Sequence, residues 1–264
     1  MTLNKQPVAL ITGASSGIGA ELAQMFARHG HALALVARRE SRLNELADEI
    51  AASGRRRPMV LALDLGLPDA AGKIGAALAE QGLEPQYVVN NAGYGLIGRA
   101  TEIDRDDQLA LIDLNMRALA DLSLSFLDSL ERHRGGILNV ASVAGFLPGP
   151  RSAVYYASKA FVLSFSEALQ RELRPRGIRV TCLCPGPVPT EFQARAGATG
   201  TPEAWATPAA RVALAGYLGL MRGRKVVVPG LANKLIATLA SRWVPRRILL
   251  ARLDARQFSR AKQP

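Results

Sequence analysis

Short apolar runs alternate with helical patterns along the first two thirds of this chain, and the first junction between them is rich in glycine. The run Val8–Thr12 leads into Gly13, Gly17 and Gly19, with a helical pattern from about Gly17 to Arg28. Strands that each feed a helix can bury both faces only in a parallel sheet covered by helices on either side. The series continues with a run at Ala32–Ala37, a charged amphipathic helix over Glu40–Ala52, and strands at Met59–Asp64 and Tyr87–Asn90. A long helix over Asp104–Arg132 carries Asn115 inside it. Then come a strand at Ile137–Ser142, a helix over Ala153–Leu173, a strand at Ile178–Cys184 and a seventh at Lys225–Val228. The expected fold is one doubly wound α/β sheet of about seven parallel strands with helices on both faces.

A chain of 264 residues is long enough to build that domain with a substantial core and needs no second one. The expected division is a domain over 1–230 and a basic C-terminal extension over 231–264. Neither an internal repeat nor a linker interrupts the pattern, and Arg195–Thr207, rich in Gly, Ala and Thr, reads as a loop. Hydrophobic content of 48% and charged content of 21% are ordinary for a soluble globular protein. No apolar stretch reaches bilayer length, and residues 1–7 lack a secretory core, so the expected location is the cytoplasm. Cys182 and Cys184 alternate along one strand and read as small buried residues. His29, His31 and His133 lack ligand spacing, so no metal is expected.

The net charge of +11 is concentrated at one end. Residues 222–264 hold 11 Lys and Arg against one acid, Asp254, while the preceding 221 residues hold 22 bases and 21 acids.

The glycines form Gly-x-x-x-Gly-x-Gly between a strand and a helix. Such a turn lets the backbone approach a pyrophosphate and offers helix N-terminal amides to its charge, which makes the sheet Rossmann-like. Sites that prefer NAD place an acid at the end of the second strand, but here that strand ends Val36-Ala37-Arg38-Arg39. Paired guanidinium donors suit a phosphate, so the expected cofactor is NADP(H); the competing reading of Arg38 and Arg39 is a solvated turn. Tyr155 and Lys159 share one helix face at a spacing of four, where the ammonium can favour the ionised phenol. Tyr156 competes, but points about 100° round the helix. Ser142 ends the fifth strand, Gly93 follows the fourth and Pro185-Gly186 the sixth, so all fall on the sheet edge where such folds bind ligands.

Thr12–Gly19, Asp64-Leu65, Asn90-Asn91-Ala92-Gly93, Asn115, Ser142, Tyr155-x-x-x-Lys159 and Pro185-Gly186 occur in order and in register with the strands. From Val8 to Phe192 the chain resembles a compact short-chain dehydrogenase/reductase. The resemblance implies that Tyr155 is the general acid or base and that Lys159 holds the nicotinamide ribose while lowering the phenol pKa. It implies that Ser142 hydrogen-bonds the substrate oxygen and that Asn115 holds a water linking Lys159 to solvent. Gly13, Ser15, Ser16, Gly17, Ile18 and Gly19 would cradle the cofactor, with Asp64 and Leu65 at the adenine. Asn91, Ala92 and Gly93 would line the adenosine side, and Pro185, Gly186, Val188 and Thr190 would seat the nicotinamide. It also implies a homodimer or homotetramer paired through the helices around 104–132 and 153–173.

Residues placed to face substrate are apolar: Tyr94, Leu96, Phe146, Leu147, Val188 and Phe192. A hydrophobic carbonyl or secondary alcohol fits them better than a sugar. The loop after Thr190, with Gly197 and Gly200, is a candidate lid.

In the extension Leu231, Leu235 and Leu239 recur every four residues, alongside Lys234 and Thr238. After Pro245, Leu249 and Leu253 form an apolar edge, and Arg252, Arg256 and Arg260 a basic one, with Trp243 at the join. Three readings stand: the extension packs on the domain or covers the pocket, lies on an anionic membrane surface, or joins subunits. Nucleic acid is not expected, because no reading module accompanies the charge. The expected activity is NADP(H)-dependent hydride transfer between nicotinamide and a hydrophobic carbonyl or alcohol. The rival is a non-catalytic NADP(H)-binding scaffold or membrane-surface adaptor.

Overall fold

The computed structural model describes residues 5–196, 206–240 and 244–260. Seven strands form one parallel sheet: β1 (Gln6–Thr12), β2 (Leu33–Ala37), β3 (Met59–Ala62), β4 (Leu83–Asn90), β5 (Gly136–Val140), β6 (Arg179–Leu183) and β7 (Val226–Val227). Their spatial order is β3-β2-β1-β4-β5-β6-β7. The winding reverses between β1 and β4, which opens a crevice beyond the carboxyl ends of these two strands. β2 and β5 are buried at every position, as sheets covered on both faces demand.

One face is covered by α1 (Gly17–Arg28), α2 (Glu40–Ala52) and a helix at Ala209–Met221. Its core joins Ile11, Leu22, Phe26, Leu35, Leu43 and Tyr217. The other face is covered by α3 (Ala70–Glu80), helical segments between residues 105 and 132, and a long helix over Ala153–Leu173. There Leu10, Ile74, Val88, Leu122, Ile137 and Leu169 pack together.

The chain departs from the sequence expectation in several places. Asp104–Arg132 is not one helix but three: α4 (Arg105–Ile112), α5 (Leu119–Ser125) and α6 (Leu127–Arg132). A π-helical turn at Asp113–Ala118 separates the first two, and Phe126 leaves helical geometry between the last two. Inserted π turns of this kind gather at functional positions. β4 starts at Leu83, earlier than the apolar run, because a register shift against Val8 and Ala9 lets Pro85 lie in the strand.

The helix α7 (Ala153–Leu173) matches the expectation, and a short α8 (Glu191–Arg195) follows β6. α3 and α9 (Ala209–Met221) lie outside the expected series. α9 is apolar nearly all round, and Gly216 and Gly219 let it settle on the sheet. A Cβ at Gly216 would stand 2.8 Å from Leu183, and one at Gly219 would run into Val227.

The extension forms α10 (Leu231–Leu235), a π turn over Ile236–Ala240, and α11 (Arg246–Arg260). On α10 the inward face is not the leucine edge read from the sequence, whereas on α11 the expected edge of Leu249 and Leu253 does turn Leu253 inward. Leu231 is 84% and Leu235 59% exposed, whereas Asn233, Ala237, Leu253 and Gln257 are buried. Gly197, Gly200 and Trp243, and the side chains of Leu239, Arg256 and Arg260, lie outside the described residues. No described helix is long and apolar enough to cross a membrane.

Candidate active site

A cavity of about 820 Å³ opens along the carboxyl edge of the sheet, from the glycine turn after β1 to the C-terminal helix. The glycine turn at its near end is shaped by steric need. Gly13 has φ +63°, and a Cβ there would stand 2.8 Å from the Asn91 side chain. A Cβ at Gly19 would strike the Gly13 carbonyl and the Asn91 amide, so α1 reaches the turn only because Gly19 has no side chain. Asn91 Nδ2 donates to the carbonyls of Thr12 (3.0 Å) and Gly13 (3.2 Å). Thr12 Oγ1 donates to the Val89 carbonyl at 3.1 Å and accepts from the amides of Asn91 and Ala92. The ends of β1 and β4 are thereby latched around a bare backbone concavity. Ser15, Ser16, Gly17 and Ile18 line it, as do Asn91, Ala92 and Gly93 further along.

Arg38 and Arg39 line the same end. Arg39 donates to Ser15 (carbonyl 3.3 Å, Oγ 3.2 Å) and pairs with Glu191 at 2.9 Å. Arg38 lies 3.8 Å from Asp64, whose other oxygen accepts from the Gly66 amide at 2.9 Å. Leu65 lies beside them, buried. These residues fit a dinucleotide. The glycine cradle has no room for a side chain, helix amides face it, and two guanidinium groups stand at the end of β2.

Further along the edge, Ser142, Tyr155 and Lys159 line the cavity together. Ser142 follows β5 and is also a helix cap. Its Oγ accepts from the Ala144 amide at 3.1 Å and approaches the Pro185 carbonyl at 3.4 Å. Tyr155 stands in the first turn of α7, its ring 5.8 Å from that of Phe192. Lys159, one turn later, is 5% exposed; its Nζ donates to the Val140 carbonyl at 3.0 Å and lies 5.9 Å from the Tyr155 ring centroid. Burial lowers the Lys159 pKa from its usual 10.5 to about 8, opposed by the sulfurs of Cys182 and Cys184 beneath it. Those thiols are buried and free, 3.6 Å apart.

Asn115 sits in the π turn, fully buried. Its carboxamide accepts from the Tyr94 amide at 3.1 Å, donates to the Tyr94 carbonyl at 3.0 Å, and donates to Ser158 Oγ at 3.2 Å. Ser158 in turn donates to the Tyr155 carbonyl at 2.7 Å. A Cβ on Gly93 would lie 2.8 Å from Asn115 Oδ1 and 3.6 Å from Lys159 Nζ. Asn115 therefore meets α7 through the Ser158 hydroxyl and is anchored on its other side by the Tyr94 backbone.

Pro185, Gly186, Val188 and Thr190 line the cavity after β6, and Tyr94, Leu96, Leu147 and Phe192 line its apolar part. Phe146 does not. It packs beside the buried cluster of Leu119, Ala141 and Val162, and the tight turn over Val143–Phe146 presents Leu147 instead. Four lining residues come from the extension: Asn233, Ile236, Leu253 and Gln257. A pocket-covering extension is one of the readings the sequence allows, and of these four residues its apolar edge includes Leu253. Tyr156 also lines the cavity, beside rather than in place of Tyr155.

A Rossmann-type crevice leading into a Ser/Tyr/Lys cluster defines an oxidoreductase site. A family model, short chain dehydrogenase, matches residues 7–200. Sulfoacetaldehyde reductase 2 of Chromohalobacter salexigens is 40% identical over 188 residues, covering 70% of this chain and 74% of that one. A short-chain dehydrogenase from Sphingobium yanoikuyae, solved with NADPH, superposes with TM-score 0.79 at 34% identity, covering 96% of this chain and 94% of that one. The bulky-bulky ketone specific alcohol dehydrogenase from Comamonas testosteroni gives TM-score 0.75 at 31% identity, over 97% and 94% of the two chains. A family member from Burkholderia phymatum, solved with NAD, gives TM-score 0.78 at 25% identity, over 90% and 93%. The chain belongs to the short-chain dehydrogenase/reductase family of oxidoreductases.

Proposed function

We propose that this chain is an NADP(H)-dependent oxidoreductase that transfers hydride between nicotinamide and a hydrophobic carbonyl or secondary alcohol. The observation that carries the reading is that one cavity is lined by the glycine turn, by Arg38 and Arg39, and by Ser142, Tyr155 and Lys159. Two guanidinium groups and no acid at the end of β2 favour the 2′-phosphate of NADP over the bare ribose of NAD. The bound nicotinamide supplies the hydride in reduction and takes it up in oxidation.

In reduction Tyr155 gives its phenolic proton to the substrate oxygen as the carbonyl carbon gains the hydride. Ser142 Oγ hydrogen-bonds the same oxygen and opposes charge building there. Lys159, mostly protonated near neutral pH, places positive charge behind the phenol and steadies the phenolate left when the proton departs. Asn115 supports the Tyr155 turn through Tyr94 and Ser158. Oxidation runs the same steps backwards, with Tyr155 as base. Reduction is the working direction, since cells commonly keep the NADPH pool reduced.

The apolar lining by Leu96, Leu147, Val188 and Phe192 supports a lipophilic substrate. In this reading residues 1–230 bind cofactor and carry the chemistry, while Asn233, Ile236, Leu253 and Gln257 of the extension line the substrate end. Exposed Leu109 and Leu124 on α4 and α5 support pairing of subunits through that helical layer. Exposed Leu231 and Leu235, followed by basic Arg246, Arg247 and Arg252, support contact of a cytoplasmic enzyme with anionic membrane.

The test follows NADPH absorbance with purified protein across ketones and aldehydes of increasing size, beside Tyr155→Phe. Consumption by the parent and none by the variant supports the enzyme. Tight NADPH binding with equal, background consumption by both favours the scaffold.

A further inference from the structure

The cavity also carries a polar pair that the proposed hydride transfer does not use. Gln257, on α11, is 4% exposed and lines the cavity one turn beyond Leu253. Its Nε2 donates to Tyr156 Oη at 3.0 Å, and its Oε1 has no hydrogen-bond partner among the described residues. A buried amide oxygen without a partner is costly, and a leucine there would avoid the cost.

The helix that carries Gln257 is held on both sides of it. Arg151 Nε donates to Asp254 at 2.8 Å, and the Arg151 guanidinium lies 4.7 Å from the Phe258 ring centroid. Arg151 itself has φ +58°, and its carbonyl accepts from the Gly98 amide at 2.9 Å. The Gln257 carboxamide is therefore fixed against α7, where the Tyr156 ring stands 6.0 Å from that of Tyr155.

We propose that Gln257 and Tyr156 form a substrate-recognition pair that selects carbonyl compounds carrying a hydroxyl group away from the reacting carbon. This rests on the carbonyl-reductase reading of the site. With Nε2 toward Tyr156, the pair offers the Gln257 oxygen as acceptor and the Tyr156 O–H as donor. With the amide turned over, it offers the Gln257 N–H as donor and the Tyr156 oxygen as acceptor. Either way it presents at least one donor and one acceptor, which matches what a hydroxyl both gives and takes. Leu96, Leu147, Val188 and Phe192 line the same cavity with apolar side chains, so a polar pair in that cavity bears on orientation and selectivity.

The test compares para-hydroxyalkyl acetophenones of increasing chain length with the matching para-alkyl ketones, in the parent, Gln257→Leu, Tyr156→Phe and the double variant. For at least one chain length the parent should prefer the hydroxylated ketone in kcat/KM by about tenfold or more. Each single variant should remove most of that ratio through KM, and the double variant should lose little beyond either. Tyr156→Phe reads the same pair should Gln257→Leu disturb α11, which thermal melts would reveal. No preference at any chain length, or a ratio unchanged by both variants, overturns the proposal. If the parent consumes NADPH with neither series, the reductase reading fails. The pair is then judged by calorimetric titration of the same ketones into NADPH-loaded protein: a hydroxyl preference lost in Gln257→Leu supports it, and equal binding of both series overturns it.

Discussion

The ammonium of Lys159 donates to the backbone carbonyl of Val140 at 3.0 Å, at the carboxyl end of β5, and this charge is almost wholly buried. Burial drives its pKa from 10.5 down to about 8, so the folded chain holds this proton less tightly than the unfolded chain. Below about pH 8 the lysine is charged in both states and the burial cost is fully present. Between about 8 and 10.5 the unfolded chain keeps a proton that the folded chain lacks, so the folded state gains stability as pH rises. Lys159→Met should therefore relieve a burial cost on the order of 3 kcal/mol near pH 7 in the cofactor-free protein, offset in part by the lost hydrogen bond to the Val140 carbonyl, while abolishing turnover. Its advantage should shrink steadily as pH approaches 10.5. Urea unfolding of both proteins across that range measures the gap, and a gap independent of pH would refute burial of the charge as its source.

Arg38 is well exposed and only loosely paired with Asp64, at 3.8 Å, which leaves it available to a phosphate. Arg38→Asp should weaken NADPH binding by about 10- to 100-fold, the effect of losing a charge-assisted contact and placing a like charge beside the phosphate. NADH binding should change by less than about threefold, because no phosphate meets the new acid. Fluorescence titration with both cofactors decides it, and equal losses would end the NADP(H) assignment.

Gly19 lies against the Gly13 carbonyl and the Asn91 amide, where a methyl group has no room. Gly19→Ala should destabilise the fold by about 1–3 kcal/mol, the usual cost of overpacking. Dinucleotide binding should fall further than that loss explains, because the group displaced is the cradle itself. Melting curves and NADPH titration on the same preparation separate the two effects. Wild-type binding in the variant would show that the cradle does not hold the pyrophosphate.

Much of the sheet and of the chemical cluster could be read from the residues, for local reasons. Val8–Thr12 and Ala32–Ala37 are largely apolar runs beside glycine or charge, and each coincides within a residue or two with a strand buried along that run. The expected strand at Ile137–Ser142 likewise coincides with β5 apart from its last two residues. Tyr155 and Lys159 share a helix, so their spacing alone fixes their relation. The failures involve packing partners far apart in sequence. α9 carries no polar stripe to betray its period, and only the sheet beneath Gly216 and Gly219 makes it a helix of this fold. Asp104–Arg132 has the pattern of a continuous helix, yet Asn115 sits in a π turn, its carboxamide bonded to the Tyr94 backbone. Phe146 and Leu147 are neighbours of similar character, and a tight turn decides which one faces the cavity. Gln257 meets Tyr156 across 101 residues, a contact that no local pattern encodes.

Leu231, Leu235, Arg246, Arg247 and Arg252 of the extension point outward, exposed among the described residues. Leu231 and Leu235 lie one turn apart on α10 and are 84% and 59% exposed, so replacing both should leave stability within about 0.5 kcal/mol. On a membrane they would leave water, each worth about 1.5–3 kcal/mol, while Arg246, Arg247 and Arg252 add attraction to anionic headgroups. The double variant Leu231→Ser, Leu235→Ser should therefore lose sedimentation with phosphatidylserine-containing vesicles by roughly two orders of magnitude in partition coefficient. Ketone turnover in vesicle-free buffer is the companion readout. If sedimentation and turnover both match the parent, the leucine edge does not touch membrane. Unchanged sedimentation that disappears in high salt would assign the attraction to the arginines alone.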